Sequence, residues 1–267
     1  MKKFFLFITA ICIICVWIIY YLMTPLIALP DYNIYKWLKA QQESLLKHVI
    51  FLTESDVERN YENTERLNEI AEYIFDHFEK AWCDEFRYQT YRVQGKQYKN
   101  VICRFNHNNP QVTVIGAHYD VDASNHNQDE IWDALFQWAD DNASWVAGVL
   151  ELATMIWKDR REELKNTLEI VAYTLEEVPH YHTEKMWSFV HARSLSQKGE
   201  DVKYMISLEM IGYFTDEKIQ EYPLSALKYI YPTTADFIAL VGKAWEAGYL
   251  KSIKADMKEA STIDIYS

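Results

Sequence analysis

The chain has 267 residues, enough for one sizeable core once any membrane segment is set aside. Its hydrophobic fraction of 49% and charged fraction of 25% are those of an ordinary folded protein, and only 7 Gly and 6 Pro argue against long flexible or low-complexity segments. Asp plus Glu number 39 against 27 Lys plus Arg, a net charge of −12, which argues against a nucleic-acid partner because phosphate binding needs a basic stripe.

Lys2 and Lys3 precede an uncharged run from Phe4 to Met23. As a helix this run spans about 30 Å, the thickness of a bilayer core. It is longer than a signal-peptide core, and its exit through Met23 to Pro30 carries no small-x-small cleavage site. The expectation is an uncleaved single-pass transmembrane anchor. Lys2 and Lys3 hold the N-terminus inside and leave the domain extracytoplasmic, although Lys36 and Lys39 on the other flank pull against that orientation. Pro25 and Pro30 punctuate a short linker, which divides the chain into an anchor and linker over 1–30 and a folded domain over 31–267. Cys12 and Cys15 lie within the apolar run. Cys83 and Cys103 lie in the domain, where they either pair, if it is exported, or remain free buried thiols.

Apolar residues recur at helical spacing through Trp37, Leu38, Leu45, Leu46, Val49, Ile50 and Leu52, and again through Leu67, Ile70, Ala71, Ile74, Phe75 and Phe78. Strands are predicted at Phe86–Val93, Tyr98–Phe105 and Val112–Ala117. The turn Gln94-Gly95-Lys96 makes the first two a hairpin. The order then alternates. A helix is predicted over Ser144–Trp157, a strand over Leu168–Thr174 and a helix over Thr183–Leu195. A strand over Tyr204–Leu208 and a last helix over about Thr234–Ala247 follow. This alternation implies an α/β fold, a mostly parallel mixed sheet with helices on both faces.

Residues with chemical potential stand where these strands end, the place such folds put their sites. His118 closes the run Val112–Ala117, with Asp120 two residues on. A lone His after a strand is more often structural. A nearby carboxylate, however, can accept the second ring N–H and fix the tautomer of a ligating imidazole. Asp140-Asp141-Asn142-Ala143-Ser144 opens an apolar helix. Capping accounts for one of these residues but does not call for two adjacent carboxylates. Glu176-Glu177 ends a buried strand, so one Glu can ligate a metal while the other takes a proton. Glu209 ends the apolar run Met205–Leu208, a costly place for a carboxylate without a partner.

Taken together, Gly-Ala-His-x-Asp, Ala-Asp-Asp-Asn-Ala-Ser, Glu-Glu and Leu-Glu-Met-Ile-Gly-Tyr resemble the motifs of metallopeptidase family 28, the co-catalytic zinc aminopeptidases and carboxypeptidases. The resemblance covers about residues 95–215. It implies a zinc exopeptidase acting on peptide substrates, with the zinc-exopeptidase (phosphorylase/hydrolase-like) fold. It also implies that His118 and Glu209 bind a first zinc, Asp141 bridges two, and Glu177 binds the second. Glu176 would be the general base and Asp120 would orient His118, with a cis peptide at Asp141-Asn142. Two departures stand out. Trp145 replaces the usual Gly. No His follows Glu209, whereas the family has a late Ser-Asp-His ligand segment, so the chain reads as C-terminally truncated, with about one zinc and impaired activity expected. His180 and His182 read as loop residues. The alternatives are a non-catalytic fragment or binding domain of the same fold, and a single-zinc acyltransferase of the glutaminyl-cyclase type.

Overall fold

The computed structural model describes residues 2–23, 39–106, 108–123 and 138–267, and on the first helix the side chains of residues 7–18. The predicted linker with Pro25 and Pro30, together with Trp37 and Leu38, lies outside the described residues. The chain divides into two compact units, Leu38–Gly212 on one hand and Met1–Trp37 with Tyr213–Ser267 on the other.

The larger unit holds helices α2 (Gln42–Thr53) and α3 (Thr64–Lys80), then strands β1 (Glu85–Val93), β2 (Lys96–Phe105) and β3 (Gln111–His118). Helix α4 (Ser144–Met155), strand β4 (Thr167–Tyr173), helix α5 (Trp187–Lys198) and strand β5 (Asp201–Ser207) complete it. The sheet order is β1-β2-β4-β3-β5. The β1–β2 and β2–β4 pairs are antiparallel, and the β3–β4 and β3–β5 pairs are parallel. The sheet is therefore evenly mixed rather than mostly parallel. The hairpin supplies antiparallel neighbours on one side, and β4 inserts between β2 and β3 instead of adding at the edge. The hairpin turn falls at Gln94 and Gly95, both at positive φ (50° and 83°), as a two-residue turn between twisted strands requires.

Period-two alternation sorts the strand side chains onto two faces. Val101, Cys103, Phe105, Ile170 and Ala172 join Leu52 of α2, Leu67, Ile70, Ile74 and Phe78 of α3, and Val146, Val149 and Leu150 of α4 in the main core. Ile102, Val112, Val114, Val171 and Tyr173 face Trp187 and Leu195 of α5 on the other side. Helices on both faces are thus present. Gly116 is required by close approach, because a Cβ there would sit 2.2 Å from the Tyr173 ring. The predicted helix Thr183–Leu195 starts later, at Trp187, the first of its residues to bury, and ends at Gly199, whose φ of 70° caps it.

Cys83 and Cys103 are joined in a disulfide that closes a sequence separation of 20 residues. A loop of that length stabilises the fold by about 3 kcal/mol on the chain-entropy account. Reductant is therefore expected to lower the unfolding free energy by that order in chemical denaturation. Coincident curves with and without reductant would show that the bridge contributes nothing.

In the smaller unit, α1 spans Lys2–Met23, and β6 (Phe237–Ala239) pairs in parallel with β7 (Asp264–Tyr266), with helix α6 (Ala247–Ala260) between them. The expected helix over Thr234–Ala247 is corrected here. The short apolar run Phe237–Val241 is compatible with strand or helix by pattern alone. Its pairing with Asp264–Tyr266 settles it as a strand, so the helix begins only at Ala247. Among the described residues no helix is long and apolar enough to cross a membrane.

Candidate metal centre

His118 is the last residue of β3, directly opposite Tyr173 at the end of β4, and its ring is buried. The chain next to it is fixed on both sides. Tyr119 donates its N–H to Tyr173 O, and Val121 donates its N–H to Arg59 O. His118 Nε2 lies 3.1 Å from Asp141 Oδ1 and 3.3 Å from Glu209 Oε2. His118, Asp141 and Glu209 form one group able to hold a metal ion, and His118, Glu176 and Glu177 form another. The structure thus brings together all of the residues singled out from the strand ends.

Each is held by local hydrogen bonds. Asp141 precedes a cis peptide bond to Asn142, the bond expected from the resemblance. Asn142 is buried, and its Nδ2 donates to Leu208 O at 3.0 Å and to Glu209 Oε2 at 2.9 Å, tying the Asp141 segment to the end of β5. Asp140 Oδ1 accepts the Gly212 N–H at 2.6 Å. A Cβ on Gly212 would lie 2.6 Å from Ser144 Cβ, so this crossing tolerates only glycine against a small residue. The Ala-Asp-Asp-Asn-Ala-Ser and Glu-Met-Ile-Gly motifs are two halves of one contact. Trp145 is half-buried and packs on the main core.

Asp120 acts differently from the expectation. The nearer partner of His118 Nδ1 is the Asp120 backbone carbonyl at 3.1 Å, with the carboxylate at 3.8 Å. The carboxylate instead accepts the N–H groups of Glu176 (3.1 Å) and Glu177 (3.3 Å). It aims the glutamate pair. Leu175 just before them is buried at φ 65°, a left-handed conformation uncommon for leucine, and this turns the chain back toward Asp120. His180 and His182 follow in the loop, and neither joins a metal-holding group among the described residues.

Sequence reasoning missed Arg59. Its guanidinium is buried behind the carboxylates and donates to Leu52 O (3.3 Å), Trp138 O (2.5 Å) and Asp141 O (3.4 Å). Burial brings its pKa down to about 10 against the pull of Asp120 and Asp141. Burial also pushes Glu176 up to about 7, with His118 opposing and Asp120, Glu209 and Asp141 adding to the rise. Burial and then the Asp141 charge push Glu177 up to about 8. On His118 burial opposes the charge, but the hydrogen bonds to Asp141 and Glu209 outweigh it and hold the imidazole well above its usual range. One imidazole nitrogen and two carboxylate oxygens converge here, a donor set that zinc accepts. Asp141 and Glu209 are partly exposed, which leaves the group open to a substrate.

The family model for peptidase family M28 matches residues 100–265. The protein YfbL of Escherichia coli (strain K12) is 36% identical over 229 residues, 85% of this chain and 68% of that protein. A leucine aminopeptidase precursor from Bacteroides thetaiotaomicron VPI-5482 shares the fold at TM-score 0.50 and 18% identity, over 66% of this chain and 64% of that one. Glutaminyl cyclase from Porphyromonas gingivalis does so at TM-score 0.50 and 18% identity, over 65% and 60%. The chain spans less than two thirds of either solved structure.

Proposed function

This chain belongs to peptidase family M28, and on that premise we propose that it is a zinc-dependent exopeptidase of the aminopeptidase type. The observation that carries the reading is His118 Nε2 lying 3.1 and 3.3 Å from carboxylate oxygens of Asp141 and Glu209. These three would hold zinc, and Asp141 with Glu177 would offer a second position. Bound zinc supplies Lewis acidity, acidifying a water and polarising the scissile carbonyl. Glu176 takes the proton from the attacking water and returns it to the leaving amine. Asp120 keeps Glu176 and Glu177 turned toward His118 through their N–H groups. Among the described residues the second position has two carboxylates and no imidazole, a poorer set for zinc, so the cleft is expected to take about one equivalent and to turn over slowly.

The Phe4–Met23 run behind Lys2 and Lys3 supports a membrane anchor with the domain outside the cytoplasm. The Cys83–Cys103 bridge fits an oxidising compartment. The second reading is a glutaminyl-cyclase-type acyltransferase, favoured by the equal fold likeness to such an enzyme. Aminoacyl chromogenic substrates and peptides with N-terminal glutamine separate the two. The proposal expects chelator-sensitive release of the aminoacyl leaving group. Ammonia release from glutaminyl peptides without hydrolysis would install the second reading. Metal-loaded protein that does neither would overturn both.

A further inference from the structure

Away from the cleft, three helices bring a second set of ligand-type side chains together. His48 of α2, His77 of α3 and Glu151 of α4 each place one nitrogen or carboxylate oxygen within 4.8 Å of the others. The two imidazole rings meet edge to face with centroids 4.6 Å apart. His48 and Glu151 are only 4% and 5% exposed, beside the apolar core that α2, α3 and α4 share. Burying polar groups there is costly unless they are satisfied, and an apolar trio would fill the same space without that cost.

Hydrogen bonds satisfy only part of the cluster. His48 Nδ1 lies 2.6 Å from the Tyr73 hydroxyl, and His77 Nε2 lies 3.2 Å from Thr154 Oγ1. The Ser44 hydroxyl donates to Glu151 Oε1. His48 Nε2 is buried without a hydrogen-bond partner and faces Glu151 Oε1 at 3.6 Å, beyond hydrogen-bond reach. One ring nitrogen anchored by a hydroxyl while the other faces a carboxylate across an ion-sized gap is how a metal-bound imidazole is held. Zinc takes His nitrogen and carboxylate oxygen at about 2.0–2.2 Å, which sets neighbouring ligand atoms about 3.3–3.6 Å apart.

We propose that His48, His77 and Glu151 bind a divalent transition-metal ion, zinc in the first instance, at a buried site distinct from the cleft. Its protein ligands come from three separate helices. The ion therefore cross-links α2, α3 and α4, and Glu151 lies two turns, about 10 Å, along the helix that follows Asp141. Three protein ligands leave a fourth position for water.

The test uses the full chain carrying His118→Ala and Glu209→Ala, which disables the cleft. After loading with zinc and gel filtration, this variant is expected to keep about one equivalent and to melt at higher temperature with zinc than with chelator. Adding His77→Gln should remove both the equivalent and the shift. A cleft-disabled variant that folds, by circular dichroism, yet holds no zinc would overturn the proposal, whatever the native cleft binds. Should that variant not fold, the native chain and the single variant His77→Gln are compared. A difference of one equivalent supports the helix site, and equal zinc contents overturn it.

Discussion

Replacing Glu176 by Gln is expected to lower kcat by about 10²–10⁴-fold, the range a general base contributes, however slow the parent chain. Gln is nearly isosteric with Glu and cannot accept the proton. The Asp120 carboxylate would still accept the backbone N–H of residue 176, so the loop stays in place. Cleft zinc and KM are expected to change little, since Glu177, not Glu176, is assigned to the metal. Glu177→Ala is the contrasting variant: it should leave the tightly held equivalent on His118, Asp141 and Glu209 in place and abolish the weaker uptake at the second position under excess zinc. Steady-state kinetics with metal analysis on both variants decides the assignment. Equal zinc loss from the two would show that base and ligand have been confused.

Removal of Arg59 is expected to have the largest effect on stability. Arg59→Met leaves the carbonyls of Leu52, Trp138 and Asp141 without their donor and strips a buried cation from beside Asp120, Asp141 and Glu177. Breaking a buried charged partner in this way costs about 3–5 kcal/mol, and each orphaned carbonyl adds to the loss. Arg59→Lys keeps the charge but not the planar fork that reaches three carbonyls, so it should recover only part of the stability. Urea denaturation of the three proteins measures this. A loss under about 1 kcal/mol for Arg59→Met would show that the carboxylate cluster needs no cation behind it.

Arg59 also marks the limit of what the sequence makes legible. His118, Glu176, Glu177 and Glu209 could be picked out because each ends an apolar run, and strand ends converge in space; Asp141 could be picked out because two adjacent carboxylates open an apolar helix. Arg59 sits in a charged loop, Asp56-Val57-Glu58-Arg59-Asn60, that has the pattern of a solvated surface. Only the packing of that loop between α2 and the start of the Asp141 segment buries it. Asp120 was legible as a neighbour of His118, but spacing could not say that its carboxylate reaches past the imidazole to the glutamate N–H groups. The α/β character and the hairpin followed from period and turn chemistry. The strand order did not, because whether β4 lies between β2 and β3 or at the sheet edge is a long-range choice that leaves no local trace. The Phe237–Val241 run failed for the same reason, since its partner Asp264–Tyr266 lies beyond the next helix.

The central claim is that His118, Asp141 and Glu209 hold a zinc ion. Diffraction from crystals of the zinc-loaded chain, recorded on both sides of the zinc absorption edge, tests it most directly. The account predicts an anomalous peak about 2.0–2.2 Å from His118 Nε2 and from carboxylate oxygens of Asp141 and Glu209. Ordered side chains in the present arrangement, with no zinc peak among them, would contradict it.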